Sequence, residues 1–67
     1  MIEFEIQLGR MTPRGFDCVQ RGGRVGGADF GQVQESAVAY LRRDGSQIGA
    51  DCLRLTANEG SVVWEYP

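Results

Sequence analysis

Histidine and lysine are both absent from the 67 residues of this chain. Without His, the side chain that titrates nearest neutral pH is missing, and with it the usual general base and the Ser-His and Cys-His nucleophilic pairs. Without Lys there is no Schiff-base amine and no lysine of a phosphate-binding P-loop. Cysteine is scarce too. Cys18 and Cys52 are far apart and neither belongs to a Cys-x-x-Cys pair, so no zinc-ligand spacing exists. No stretch approaches the ~20 consecutive apolar residues of a membrane span. The opening Met1-Ile2-Glu3-Phe4-Glu5 sets acids where a secretory leader carries a basic and then an apolar run, which predicts a cytoplasmic protein. The expectation is a chain with no catalytic residue, no cofactor and no metal.

What remains is globular in composition, with 42% hydrophobic residues and a net charge of −2. A chain of this length is one domain, 1–67. So small a core rarely supplies more than about 3–5 kcal/mol without a disulfide, a metal or a partner chain. All seven cations are Arg, a bias that a high-GC bacterium or its phage would produce. Each is a planar fork suited to carboxylate or phosphate pairing and to stacking.

Ile2, Phe4, Ile6 and Leu8 alternate with Glu3, Glu5 and Gln7, the pattern of a half-buried strand. Gly9 to Gly15, with Pro13 inside, reads as a turn, and Phe16 to Gln20 as the returning strand. Pairing Leu8 with Phe16, Ile6 with Cys18 and Phe4 with Gln20 keeps Asp17 off the inner face. The first hairpin is therefore expected over 2–20. Residues 21–28, with four glycines, read as a flexible Gly-rich connector. A helix follows over 29–44. Asp29 caps it with Gln32 three residues on, Phe30, Val33, Ala37, Tyr40 and Leu41 form one apolar stripe, and Gly45 stops it.

Residues 46–50 form a connector that tucks Ile48 inward, and 51–66 form a second hairpin. A four-residue loop, Ala57 to Gly60, sets Leu55 opposite Val62 and Leu53 opposite Trp64. Cys52 then falls opposite Glu65 on the outer face and, with Cys18 facing the core, the two thiols are badly placed for a disulfide. The predicted fold is a two-layer α+β domain, β-β-α-β-β. Its one antiparallel sheet is covered on one face by the helix, over Phe4, Ile6, Leu8, Phe16, Leu53, Leu55, Val62 and Trp64.

Candidate binding residues fall into two groups. Glu3, Glu5 and Glu65 would line the solvent face of the sheet as an acidic surface. Residues 10–24 carry Arg10, Arg14, Arg21 and Arg24 against Asp17 alone, although Arg10 and Arg14 should lie at the opposite end of the hairpin from Arg21 and Arg24. The Gly-rich loop before the helix matches neither GxGxxG nor the P-loop pattern, and Asp29 puts a negative charge where a phosphate would sit. An isoelectric point near 4.9 does not fit a basic nucleic-acid binder. Val19, Val38 and Val63 fall off the inward faces, and a small sheet has two edges to cover, so a second copy or a docking partner is expected to bury them.

In size, acidic isoelectric point, Arg-only cations and compact α+β plan, the chain resembles the small phage-encoded inhibitors of bacterial defence, the anti-CRISPR proteins. That resemblance implies a non-enzymatic protein in the bacterial host cytoplasm that occupies a surface of a nucleic-acid-targeting complex by steric or acidic-surface blockade. It assigns no residue a role. Two other readings stand beside it: a nucleic-acid-binding or regulatory protein using Arg10–Arg24, and a dimeric structural or assembly subunit.

Overall fold

The computed structural model describes residues 1–67, Gly22 excepted. Strands β1 (Ile2–Thr12) and β2 (Gly15–Gly27) are followed by helix α1 (Phe30–Tyr40), a π-helical turn (Leu41–Gly45) and a last α-helical turn, α2 (Ser46–Ile48). Strands β3 (Cys52–Thr56) and β4 (Val62–Tyr66) complete the chain. The four strands form one antiparallel sheet in the order β2-β1-β3-β4, with the helix packed on one face, a small α+β domain of the expected plan. The core comprises Ile6, Leu8, Val25, Val33, Ala37, Leu41, Ala50, Leu53 and Leu55, with Phe4, Tyr40, Ile48, Trp64 and Tyr66 packed partly against it.

The first hairpin is longer than its apolar pattern implies, and its register differs. Met11 faces Phe16, Gly9 faces Cys18, Leu8 faces Gln20, Ile6 faces Gly23 and Phe4 faces Val25. The turn is only Pro13-Arg14, closed by Thr12, whose hydroxyl donates to the Gly15 carbonyl (2.9 Å) and accepts from the Arg14 N–H (3.1 Å). Gly9 is thus within a strand, and its missing Cβ admits a neighbour. A Cβ there would lie 2.8 Å from Phe16 Cζ and collide with the Asp17 backbone. Phe16 accordingly leaves the expected core and lies across Gly9 on the far face.

The expected Gly-rich connector is also strand. Its Gly22 lies outside the described residues, but β2 runs on to Gly27. Positions 23, 25 and 27 turn toward the helix, where a Cβ on Gly23 would sit 3.0 Å from the Tyr40 hydroxyl and one on Gly27 2.7 Å from Gln32 Cβ. These glycines bring α1 close to the sheet, and Val25 is the buried residue between them. With 13 residues against 11, β2 takes up its excess at two register shifts, around Leu8.

The N-terminus of α1 is capped as its sequence implies. The Asp29 carboxylate accepts from the Gln32 N–H (2.9 Å), and the Gln32 side chain returns to accept from the Ala28 N–H (2.8 Å). The predicted stop at Gly45 is not where the helix ends. Gly45 is helical (φ −63°), and the left-handed residue is Gly49 (φ +76°). Gly45 is buried, and a Cβ would lie 2.7 Å from Leu41 Cδ1 and 3.1 Å from the Ala50 carbonyl, so it too serves close packing.

In the second hairpin Gly60 has the expected left-handed backbone (φ +94°), but the register differs. Thr56 faces Val62, Leu55 faces Trp64, Arg54 faces Glu65 and Leu53 faces Tyr66. The Ala57 N–H donates to the Ser61 carbonyl (2.9 Å), closing the loop over Asn58 to Gly60, one residue fewer than predicted, and Val63 is an extra residue bulged out of β4. The bulge restores the alternation that a shorter loop alone would break, keeping Arg54 and Glu65 outside. It also moves Val62 out of the expected core, to 48% exposure, and leaves Trp64 and Tyr66 as the residues of β4 packed partly against the core. Cys52 faces Gly9 rather than Glu65 and is buried.

Candidate functional site

Alternation along the strands puts Leu53 and Leu55 under the helix and turns Cys52, Arg54 and Thr56 away from it. On β1 the same rule sends Glu3, Glu5 and Gln7 to the outer face, where Arg24 of β2 and Glu65 of β4 join them. This outer face is a mixture of both signs. Arg24 Nε lies 2.6 Å from Glu3 Oε1, and its Nη2 donates to Asn58 Oδ1 at 3.3 Å. Arg54 donates through Nε and Nη2 to Glu65 Oε2 at 3.0 and 2.9 Å. The Arg54 guanidinium also stands over the Phe16 ring, 4.4 Å from its centroid. Gln7 Nε2 donates to Glu5 Oε1 at 3.3 Å.

Four of the five predicted binding residues therefore meet at one end of the sheet. Glu5, Arg21 and Arg24 line a polar cleft of about 360 Å³ with Gln7, Thr56 and Asn58, and Glu3 is tied to Arg24. Glu65 stands apart, on the β4 side, held by Arg54. The predicted acidic surface does not form as such, because Glu3 and Glu65 each sit against an arginine. The basic segment is divided as expected, with Arg10 opposite Asp17 near the turn and Arg24 opposite Glu5 toward the other end of the hairpin.

A second surface went unread in the sequence. The strand order makes β4 an edge and helix α1 packs chiefly over β2 and β1, so the inward residues Trp64 and Tyr66 of β4 are only partly covered. Between them and the helix runs an open groove of about 810 Å³, lined by Glu35, Val38, Ala39, Arg42 and Arg43 together with both aromatics. An edge-to-face series supports its wall, Phe4 to Phe30 at 5.8 Å and Phe30 to Trp64 at 6.5 Å, with Tyr66 a further 5.7 Å from Trp64. Val38 was visible in the sequence as an apolar residue off the stripe. Its neighbours Trp64 and Tyr66 were not, because that requires the strand order.

Among the described residues no three His, Cys, Asp or Glu side chains come together in a metal-binding group, and no buried side-chain nitrogen or oxygen lacks a hydrogen-bond partner. Both cysteines are free. Burial pushes the Cys52 thiol above its ordinary pKa, Asp51 and Glu65 add to the shift, and Arg54 works against it. Among the described residues no helix is long and apolar enough to cross a membrane. Compared with family models, curated proteins and solved structures, the chain matches none.

Proposed function

We propose that this chain is a non-enzymatic binding protein that presents the outer face of its sheet to a protein surface on a larger target. The observation that carries the reading is the interleaving of charge on that uncovered face. Glu3 with Arg24, beside a polar cleft, and Arg54 with Glu65, on the β4 side, form two ion pairs. Phosphate backbones select for a field of one sign, which neighbouring carboxylates cancel here. A mimic of nucleic acid needs unpaired acids, and Glu3 and Glu65 are already satisfied. Opposite charges in fixed positions suit another protein surface, where complementary pairs give register and specificity. This supports steric cover of a target over acidic-surface blockade. An inhibitor of a nucleoprotein defence complex in a bacterial cytoplasm is the form of that reading we favour.

The test is differential retention from a host lysate. Tagged wild type should retain a discrete protein or nucleoprotein, and the double variant Arg21→Glu, Arg24→Glu should lose it while keeping its circular dichroism. Nuclease-sensitive retention of bulk nucleic acid would turn the assignment to the Arg10–Arg24 reading. Equal retention by the double variant would remove the outer face from the mechanism.

A further inference from the structure

The groove beside α1 makes a separate demand, independent of the outer face. Its helical wall carries the adjacent Val38 and Ala39 of α1, with Glu35 of α1 and Arg42 of the following π-helical turn three to four residues to either side and so on one side of the helix. Glu35 and Arg42 lie the same number of residues on either side of the midpoint between Val38 and Ala39. Both are exposed, and among the described residues neither takes part in an ion pair, whereas Arg43 is held by Asp44 and rests over the Tyr40 ring. A helix with this pattern is complementary to itself when inverted. With a two-fold axis passing between Val38 and Ala39, the Glu35 of each copy meets Arg42 of the other, and the small Ala39 lets the backbones approach.

We infer that the groove is occupied by a second copy of this chain, the two α1 helices packing antiparallel about Val38 and Ala39, with Trp64 and Tyr66 of each copy covered by the helix of the other. A second copy supplies the complement of both charges, Arg42 for Glu35 and Glu35 for Arg42, from the same short segment. The arrangement also gives a 67-residue chain the extra apolar burial that small cores lack. It leaves both outer faces free, so the dimer would carry two copies of the proposed binding surface.

Sedimentation equilibrium from about 10 µM to about 1 mM tests the inference over the range of ordinary dimer affinities. The wild type should reach twice the chain mass of 7.4 kDa. Glu35→Arg sets Arg against Arg42 across the axis, and Arg42→Glu sets two acids together. Each should weaken association by about tenfold or more while leaving helix content unchanged, since both side chains are exposed. Mixing the two variants should restore a heterodimer, because every cross-axis pair is then opposite in sign, and the double variant should restore the homodimer. A wild type that stays at single-chain mass throughout overturns the inference. So do single reversals that leave association intact, and so does a mixture that fails to pair.

Discussion

The two faces of the sheet are built from alternate residues of the same four strands, yet different forces hold them. Under α1, contact is apolar and close. Ile6, Leu8, Leu53 and Leu55 are at most 1% exposed, and glycines on β2 bring the helix onto the backbone. On the outer face Cys52 and Thr56 are buried, but the rest is ordered by paired charges and by one arginine stacked on one ring. The covered face concentrates free energy in a few side chains. The outer face spreads a little over many, which leaves it open to serve as a binding surface.

The comparison is broken most severely by Leu55→Ala. Removing a fully buried Leu costs about 2–5 kcal/mol, comparable with the whole stability expected of so small a core. Urea denaturation should find the variant largely unfolded without denaturant. Gly27→Ala comes next. Its Cβ would lie 2.7 Å from Gln32 Cβ and 3.1 Å from the Val33 nitrogen, so the helix must shift, at about 1–3 kcal/mol in the same assay.

The two thiols both stand on the outer face, opposite Gly9 from either side, and differ in burial, Cys52 being buried and Cys18 half-buried. At pH 8 a thiol reagent should modify Cys18 at least about tenfold faster than Cys52, because burial and a raised pKa both suppress the Cys52 thiolate. The folded state also holds the Cys52 proton more tightly than the unfolded chain does. That stability is fully present below the unfolded thiol pKa and is lost as pH rises from the ordinary thiol value of 9.0 through the raised value of the folded state. A Cys52→Ser variant should show a flatter decline over that range.

The smallest effects belong to the outer face. Arg54→Ala loses an ion pair and a stack over Phe16, about 0.5–1 kcal/mol for a contact near solvent. Arg24→Ala, whose side chain and that of Glu3 are 45% and 54% exposed, should cost no more than about 0.5 kcal/mol. A loss as large as that of Gly27→Ala at either site would erase the distinction between the faces.

The features legible in the sequence are those set by near neighbours in the chain. The Ile2 to Leu8 alternation, the Asp29–Gln32 cap, the buried Val33, Ala37 and Leu41 and the left-handed Gly60 are local facts and stand as read. Register is not local. A single inserted residue such as Val63 changes which side chain faces which without changing the apolar pattern, so Val62 left the inner face while Trp64 and Tyr66 kept it. Glycine was the least transparent letter, because the same residue serves a turn at Gly60 and close contact at Gly9 and Gly27. Of the candidate site, the outer residues Glu3, Glu5, Arg21 and Arg24 could be named, but their mutual pairing could not. The helix-side groove stayed hidden because Trp64 meets Val38 only through the strand order.

The bulge at Val63 also bears on how the sheet ends. β4 is an open edge with the composition Val-Val-Trp-Glu-Tyr, rich in the residues from which fibrils grow, and Val62 and Val63 are exposed. A flat strand of that kind would offer its free N–H and C=O groups to any extended chain. The extra residue interrupts the ladder and sharpens the twist, so a further strand cannot zip along the edge. The residue that sets the register of the last hairpin thus also guards the β4 edge against growth strand by strand.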